Sequence, residues 1–486
     1  MSKTRKQRPQ APGPEPTQIA DMTALQMLDA FEDLSLSPVE AAQACLDRIE
    51  RFNPVVNAYC IVREDETLAA ARAAEQRYLH GMPLGLADGI PVAVKEMFMM
   101  RGWPNRKGSR VIDETQPWND DAPAIAALRR SGFVPLGRTT TPEFGWKGVT
   151  DCALTGITRN PWNPETTAGG SSGGSSAAVA LGMGALGLGT DAGGSVRIPA
   201  GFCGIVGHKP TQGLCPMWPP SAFWPLAHVG PMTWTVADSA LLMNFLAEPD
   251  ARDTTLPANK TDFLAALDGD LRGVRIAFSP TLGFYQHLHP EIAASLEQVA
   301  QTLADLGARV VRQDPGFADP MDAFEVIFYG GAANALRDLG DNARAQMDPA
   351  LIEVAEDAAR LSMLDYMAAT NARAALIEQT DKFHEDYDLL LTPSLPLPAF
   401  TAGQDVPDGW HSKRWPSWTP YTYPFNLTGQ PAISVPCGFT QDGLPIGMQL
   451  VGARHQDALV LRAGHLYQCA NPLTDRRPPM LADSTG

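Results

Sequence analysis

From Gly169 to Gly213 the chain is rich in glycine and other small residues, and this stretch constrains the fold more than any other. Two glycine–serine loops stand in it: Gly169-Gly170-Ser171-Ser172-Gly173-Gly174, and Gly189-Thr190-Asp191-Ala192-Gly193-Gly194-Ser195-Val196-Arg197. Between them the pattern predicts an alanine-rich helix from Ser175 to Leu181 and a short strand from Leu186 to Thr190. Paired glycines let a backbone approach a ligand closely and aim successive N–H groups at it, which is how an oxyanion hole or a phosphate nest is built. One such run reads as a surface turn. A second serine-bearing run, 24 residues on from Ser171 to Ser195, reverses that preference. A nucleotide phosphate is set aside, because neither G-x-x-x-x-G-K-[ST] nor a strand-anchored G-x-G-x-x-G with a following acidic residue is present.

The flanking sequence alternates strand and helix. Ser37-Pro38-Val39-Glu40 carries an N-cap serine, a proline at N1 and a glutamate at N3, so a helix starts there and is expected to end near Asn53-Pro54. The run from Gly89 to Lys95 is a buried-strand pattern opened by proline and closed by a lysine. Asp121 to Ser131 reads as a helix closed by Gly132, feeding a strand from Phe133 to Gly137. Residues 250–410 predict substrate-shaping helices, Glu291 to Leu306 among them, a strand Arg275 to Phe278 and the apolar run Leu389 to Leu391. Ala432 to Pro436 and Ile446 to Val451 flank Asp442-Gly443, a hairpin signal. The alternation predicts an α/β sheet.

Composition narrows the partners. A formal net charge of −16 makes non-specific nucleic-acid binding unfavourable and points to a small-molecule substrate. With 44% hydrophobic and 19% charged residues, the chain has apolar mass for a sizeable core. Its seven cysteines are widely spaced and lack any C-x-x-C, so they read as reduced thiols. Lys3, Arg5, Lys6 and Arg8 precede Pro9, Pro12, Pro14 and Pro16 without an apolar core, which reads as a flexible tail over residues 1–20 rather than a signal peptide or membrane anchor. A cytoplasmic protein is the expectation.

A serine nucleophile needs a base. None of the nine histidines sits beside a G-x-S-x-G elbow, and His287-x-His289 lacks a third metal ligand, so no metal is expected. Lys95 is a candidate, because an ammonium at the end of an apolar strand is desolvated, its pKa falls, and a neutral amine can take a serine proton. Lys209, in Gly207-His208-Lys209-Pro210-Thr211, is its rival, and periodicity does not choose between them.

These residues resemble the amidase signature family. The likeness is carried by GIPVAVKE at 89–96, GGSSGGSSAAVA at 169–180, GLGTDAGGSVRIPAGFCG at 187–204 and GHKPT at 207–211, with weaker matches from about residue 22 to 470. The resemblance implies one large α/β/α domain, a twisted mixed sheet sandwiched between helices, spanning 21–475 with a C-terminal tail at 476–486. It implies a Ser-cisSer-Lys triad on Ser195 as nucleophile, Ser171 as bridge and Lys95 as base, and no cofactor. It also implies an oxyanion hole from the N–H groups of Ala192, Gly193, Gly194 and Ser195, supported by Ser172, Thr190, Asp191 and Arg197. The activity implied is cleavage of a carboxamide through an acyl-enzyme, with esters, anilides or carbamates also within reach of that route.

Departures bear on the substrate. Gln212-Gly213-Leu214-Cys215-Pro216 stands where the A-type subunit of the tRNA-dependent amidotransferase carries an arginine-bearing stretch, which weighs against that alternative. Aromatic residues gather after the catalytic stretch (Trp218, Phe223, Trp224) and near 410–423 (Trp415 and Trp418 among them). With Phe144, Trp146, Gly169 and Gly170 they are candidate substrate contacts, suited to an apolar or aryl group. They weigh against an allophanate or malonamate hydrolase, which needs a small polar pocket. The sequence leaves the oligomeric state, a homo-oligomer included, open.

Overall fold

The computed structural model describes residues 18–253, 261–471 and 476–484. Eleven strands form one mixed sheet: β1 (Tyr59–Val62), β2 (Pro91–Lys95), β3 (Val134–Thr139), β4 (Leu186–Asp191), β5 (Val206–Lys209), β6 (His228–Thr233), β7 (Arg275–Phe278), β8 (Arg309–Arg312), β9 (Leu389–Pro393), β10 (Ala432–Phe439) and β11 (Pro445–Gly452). Their spatial order is β1-β3-β2-β4-β6-β5-β10-β11-β9-β7-β8. β3, β2 and β4 run parallel, as do β9, β7 and β8, while the centre from β4 to β9 is antiparallel.

Alternation along the strands divides the core into two layers. Val92 and Val94 of β2, Leu389 and Leu391 of β9, and Ile276 and Phe278 of β7 face one core with the helices Ala24–Glu32, Pro123–Arg130, Val236–Leu246 and Pro290–Asp305. Ala93 of β2 faces the other side with Ala177 and Ala178 of the helix Gly173–Ala180, and Leu390 and Ala277 face an aromatic-rich cluster on that same side. The continuous apolar runs of the central strands follow from this double burial. Strands from 275 to 393 join the same sheet as those from 91 to 233, so the chain forms one α/β domain. The hairpin at Asp442-Gly443 closes β10 onto β11, with Gly443 at φ +80°.

Three boundaries differ from the sequence expectations. The helix Pro38–Val56 runs through Pro54: Asn57, left-handed at φ 52°, returns its N–H to the Asn53 carbonyl, and the Asn53 side chain accepts from the N–H groups of Ala58 and Tyr59. Proline in the last turn costs the helix one internal donor without ending it, and the left-handed Asn57 closes the helix instead. The flexible tail read over 1–20 is ordered at its end: Ile19–Asp21 is a turn of 3-10 helix, and buried Arg48 donates to Gln18 Oε1 and Asp21 Oδ1, both at 2.8 Å. Residues 1–17 lie outside the described residues. At the other end, residues read as a tail lie along the body, where the Arg477 guanidinium covers the Trp234 ring at 3.8 Å and Arg476 covers Phe439 at 3.8 Å.

Candidate active site

β2 carries Lys95 on the same face as Ala93, toward the N-terminus of the helix Gly173–Ala180, so strand periodicity aims the lysine at the first glycine–serine loop. Lys95 is fully buried. Its Nζ lies within hydrogen-bond distance of Ser171 Oγ at 2.8 Å, Ser172 Oγ at 2.9 Å and Thr190 Oγ1 at 2.9 Å. Burial pulls its pKa well below the usual lysine value, with the Asp191 carboxylate pulling weakly the other way. Ser171 follows a cis Gly170–Ser171 peptide.

Lys209 is equally buried and its pKa is likewise depressed by burial, but its Nζ is spent elsewhere. It donates to the carbonyls of Gln430 and Pro210 and lies 3.3 Å from His228 Nε2. Of the two lysines, Lys95 alone contacts a serine of these loops.

The second loop is held from behind. Burial pushes the Asp191 carboxyl up, yet the Arg197 guanidinium, the Lys209 charge and the Asn426 hydrogen bond together outweigh this and hold it well below the usual carboxylate range. The pair is bidentate, at 3.0 and 3.1 Å, and Asn426 Nδ2 adds a donor to Asp191 Oδ1 at 2.8 Å. Asp191 also accepts from the N–H of Gly194 at 2.7 Å and of Val196 at 3.2 Å. The Gly194 N–H is thereby removed from the expected oxyanion hole, because it satisfies a buried carboxylate. The N–H groups of Ala192, Gly193 and Ser195 have no acceptor among the described residues. Unpaired N–H groups at a buried loop are rare, and three within four residues can together receive one oxygen atom.

Ser171 and Ser195 open into one cavity, shared with Thr190, Asp191 and Ala192. No described residue hydrogen-bonds the Ser195 hydroxyl. Of the aromatic candidates, Phe144, Trp218 and Phe223 line this cavity and Trp146, Trp224, Trp415 and Trp418 do not. Trp415 packs behind the loop instead: a Cβ on Gly193 would meet its ring at 2.8 Å. Trp418 stacks on Phe202 at 5.8 Å, Trp146 donates Nε1 to Asp348 at 3.1 Å, and Trp224 is 39% exposed to solvent. Gly169 and Gly170 also stay out of the lining. They let the backbone pass close to its neighbours, since a Cβ on Gly170 would clash with the Val149 carbonyl oxygen.

Sequence reasoning missed Asn426, Thr422 and the cavity wall at Met97, Met99, Asn105 and Lys107. Thr422 donates Oγ1 to the Gly193 carbonyl at 2.7 Å from 229 positions away, and no local pattern marks such a contact. Asn426 lies within the span of weaker matches between residues 22 and 470, which was its one available signal. Among the described residues no group of three or more His, Cys, Asp or Glu is placed to hold a metal ion, and no helix is long and apolar enough to cross a membrane.

Comparison with known proteins places this geometry. Residues 40–461 match the family model described as Amidase. The chain is 36% identical over 467 residues to an acylamidase of Rhodococcus erythropolis, covering 94% of this chain and 97% of that protein. It is 35% identical over 476 residues to a glutamyl-tRNA(Gln) amidotransferase subunit of Chloroflexus aggregans, covering 92% and 95%. Among solved structures, a bacterial aryl acylamidase of the amidase signature enzymes superposes with a TM-score of 0.87 at 30% identity, covering 94% and 99%. A 6-aminohexanoate cyclic dimer hydrolase follows at 0.86 and 28%, covering 95% and 99%.

Proposed function

The chain belongs to the amidase signature family and is an amide-hydrolysing enzyme, and from that premise we propose that it cleaves the C–N bond with Ser195 as nucleophile, Ser171 as proton bridge and Lys95 as base. A neutral amine has two N–H donors and one lone pair. The Ser172 hydroxyl donates to the Thr190 carbonyl at 3.3 Å, so its oxygen faces Lys95 as an acceptor. With Thr190 Oγ1 taking the second N–H, the lone pair points at Ser171, 2.8 Å away. The single observation that carries this reading is a wholly buried amine on a serine that shares its cavity with a second, unbonded serine.

The reaction follows in balanced steps. Ser195 Oγ bonds to the amide carbon as its proton passes to Ser171 and the Ser171 proton passes to Lys95. The carbonyl oxygen gathers negative charge against the N–H groups of Ala192, Gly193 and Ser195, each donor worth about 3–4 kcal/mol in the transition state. Ser171 then protonates the departing nitrogen and is reprotonated from Lys95, the C–N bond breaks, and water repeats the sequence on the acyl-enzyme. None of these steps calls on a cofactor. An apolar or aryl amide suits a cavity walled by Phe144, Trp218, Phe223 and methionines. The amidotransferase reading stands behind this one, because residues 212–216 bring no arginine.

The test is a panel of amides, anilides, esters and carbamates of graded acyl size, run beside a serine-directed fluorophosphonate label with peptide mapping. The label is expected on Ser195, and Ser195→Ala should lower kcat/KM by at least about 1,000-fold. Turnover by Ser195→Ala close to that of the wild type would reject the assignment.

A further inference from the structure

Lys107 lines the same cavity as Ser171 and Ser195, and its ammonium faces no carboxylate. Glu96, which is near it in the fold, is already committed: its oxygens accept the N–H groups of Arg106 at 3.2 Å and Gly108 at 3.1 Å, and its charge faces Arg138 and Arg106. Those two bonds clamp the backbone on either side of Lys107. The residue itself sits at φ 54°, in the left-handed region that favours glycine, with its carbonyl accepting from Phe144 N–H at 2.7 Å. The backbone that presents Lys107 to the cavity is therefore held in place on both sides of the residue.

The rest of the lining supplies no counter-charge. Asp191 is the one other charged side chain in it apart from the lysine, and Arg197 and Asn426 occupy its carboxylate. Asn105, only 2% exposed, lines the wall two residues away, with no partner for Oδ1 and its Nδ2 3.5 Å from the Met97 carbonyl. Around this polar pair the wall is methionine and aromatic. An ammonium among apolar side chains is costly unless an anion accompanies it, and an unpaired buried amide needs a hydrogen-bond partner.

Resting on the hydrolase reading above, we infer that the substrate amide carries a carboxylate on one arm, that Lys107 receives that carboxylate, and that Asn105 hydrogen-bonds the same arm. Burial lowers the proton affinity of the empty-site lysine, and a bound carboxylate restores it. Lys107 is then a specificity-determining residue rather than part of the bond-breaking machinery. It selects among amides that the cavity's apolar walls accept equally.

The full-length enzyme is assayed on two matched pairs. Acetanilide against 4-acetamidobenzoate places the charge on the amine arm, and butyranilide against succinanilate places it on the acyl arm. In one pair the anionic amide is expected to exceed its neutral partner in kcat/KM by about tenfold or more, equivalent to about 1.4 kcal/mol. Lys107→Met and Lys107→Gln should bring that ratio to one or below, and Lys107→Arg should restore most of it. The rate of fluorophosphonate labelling at Ser195 reports a folded site in every variant. A wild-type ratio near one in both pairs, or a preference that survives in both Lys107→Met and Lys107→Gln, overturns the inference. Absence of any amide turnover by labelled wild-type enzyme would instead count against the hydrolase reading.

Discussion

Lys95 shows how one residue type takes its chemistry from position. A lysine in water holds its proton up to pH ~10.4, and burial lowers that threshold because the ammonium loses its hydration. Activity is therefore expected to rise from neutral to alkaline pH as Lys95 loses its proton, and to do so at lower pH than an exposed lysine would dictate. A kcat/KM profile already maximal near pH 5 contradicts it. Lys95→Arg is a sharper test, since a guanidinium keeps the charge and cannot act as a base. That variant should lose activity as fully as Lys95→Ala, whereas substantial retention would mean that the lysine acts by its charge alone. Much of this was legible in the sequence, because GIPVAVK marks a buried strand ending in an amine. The choice between Lys95 and Lys209 was not legible from pattern: both are buried and both have depressed pKa values, and only contacts with the serine loops separate them.

At the level of elements, the helix Gly173–Ala180 sets packing against propensity. Alanine is better than glycine in a helix by about 1 kcal/mol, so propensity alone predicts that Gly174→Ala stabilises. The fold predicts the opposite, because a Cβ at Gly174 would clash with Thr140 N and Oγ1 and lie 2.5 Å from the Ala58 carbonyl oxygen. Gly174→Ala is expected to cost at least about 2 kcal/mol in chemical denaturation and to lower turnover, since the helix carries Ser171 and Ser172 at its entrance. An unchanged or raised midpoint refutes this packing account. The glycines were conspicuous in the sequence, which read them as access for a ligand. The structure gives most of them a different task, the close passage of one backbone against another. The aromatic loops show the same shift, because Trp415 and Phe324 fill the space behind Gly193 rather than the substrate cavity.

The whole molecule is tied together by contacts far apart in sequence. Lys147, nearly buried, pairs with Asp151 at 2.8 Å, Asp348 at 3.1 Å and Asp405 at 2.7 Å, joining the site's edge to the helical segment before β9 and the loop after it. Burial disfavours this ammonium, but the three carboxylates outweigh it and hold the lysine above its usual range. Its stabilisation is therefore present at neutral pH, and on the alkaline side it is lost only above the usual lysine range. Lys147→Met leaves three carboxylates facing one another, at an expected cost of about 2–4 kcal/mol at pH 7. The deficit should shrink on acidification as Asp405, whose carboxyl is pushed up by burial, takes up its proton. Denaturation midpoints that match the wild type at pH 7, or a deficit that grows on acidification, would defeat this account.

What the sequence determined by itself was local: the strand that ends in Lys95, the two glycine–serine loops, the hairpin at Asp442-Gly443 and the strand–helix alternation that makes an α/β sheet. Side-chain periodicity and backbone freedom are properties of neighbouring residues, so they can be read along the chain. Tertiary structure alone decided which N–H groups of the second loop stay without an acceptor among the described residues, which aromatic rings reach the cavity and which lysine touches a serine. Those outcomes depend on residues such as Asn426 and Thr422, brought more than 200 positions across the chain to satisfy buried groups, and no local pattern encodes that meeting.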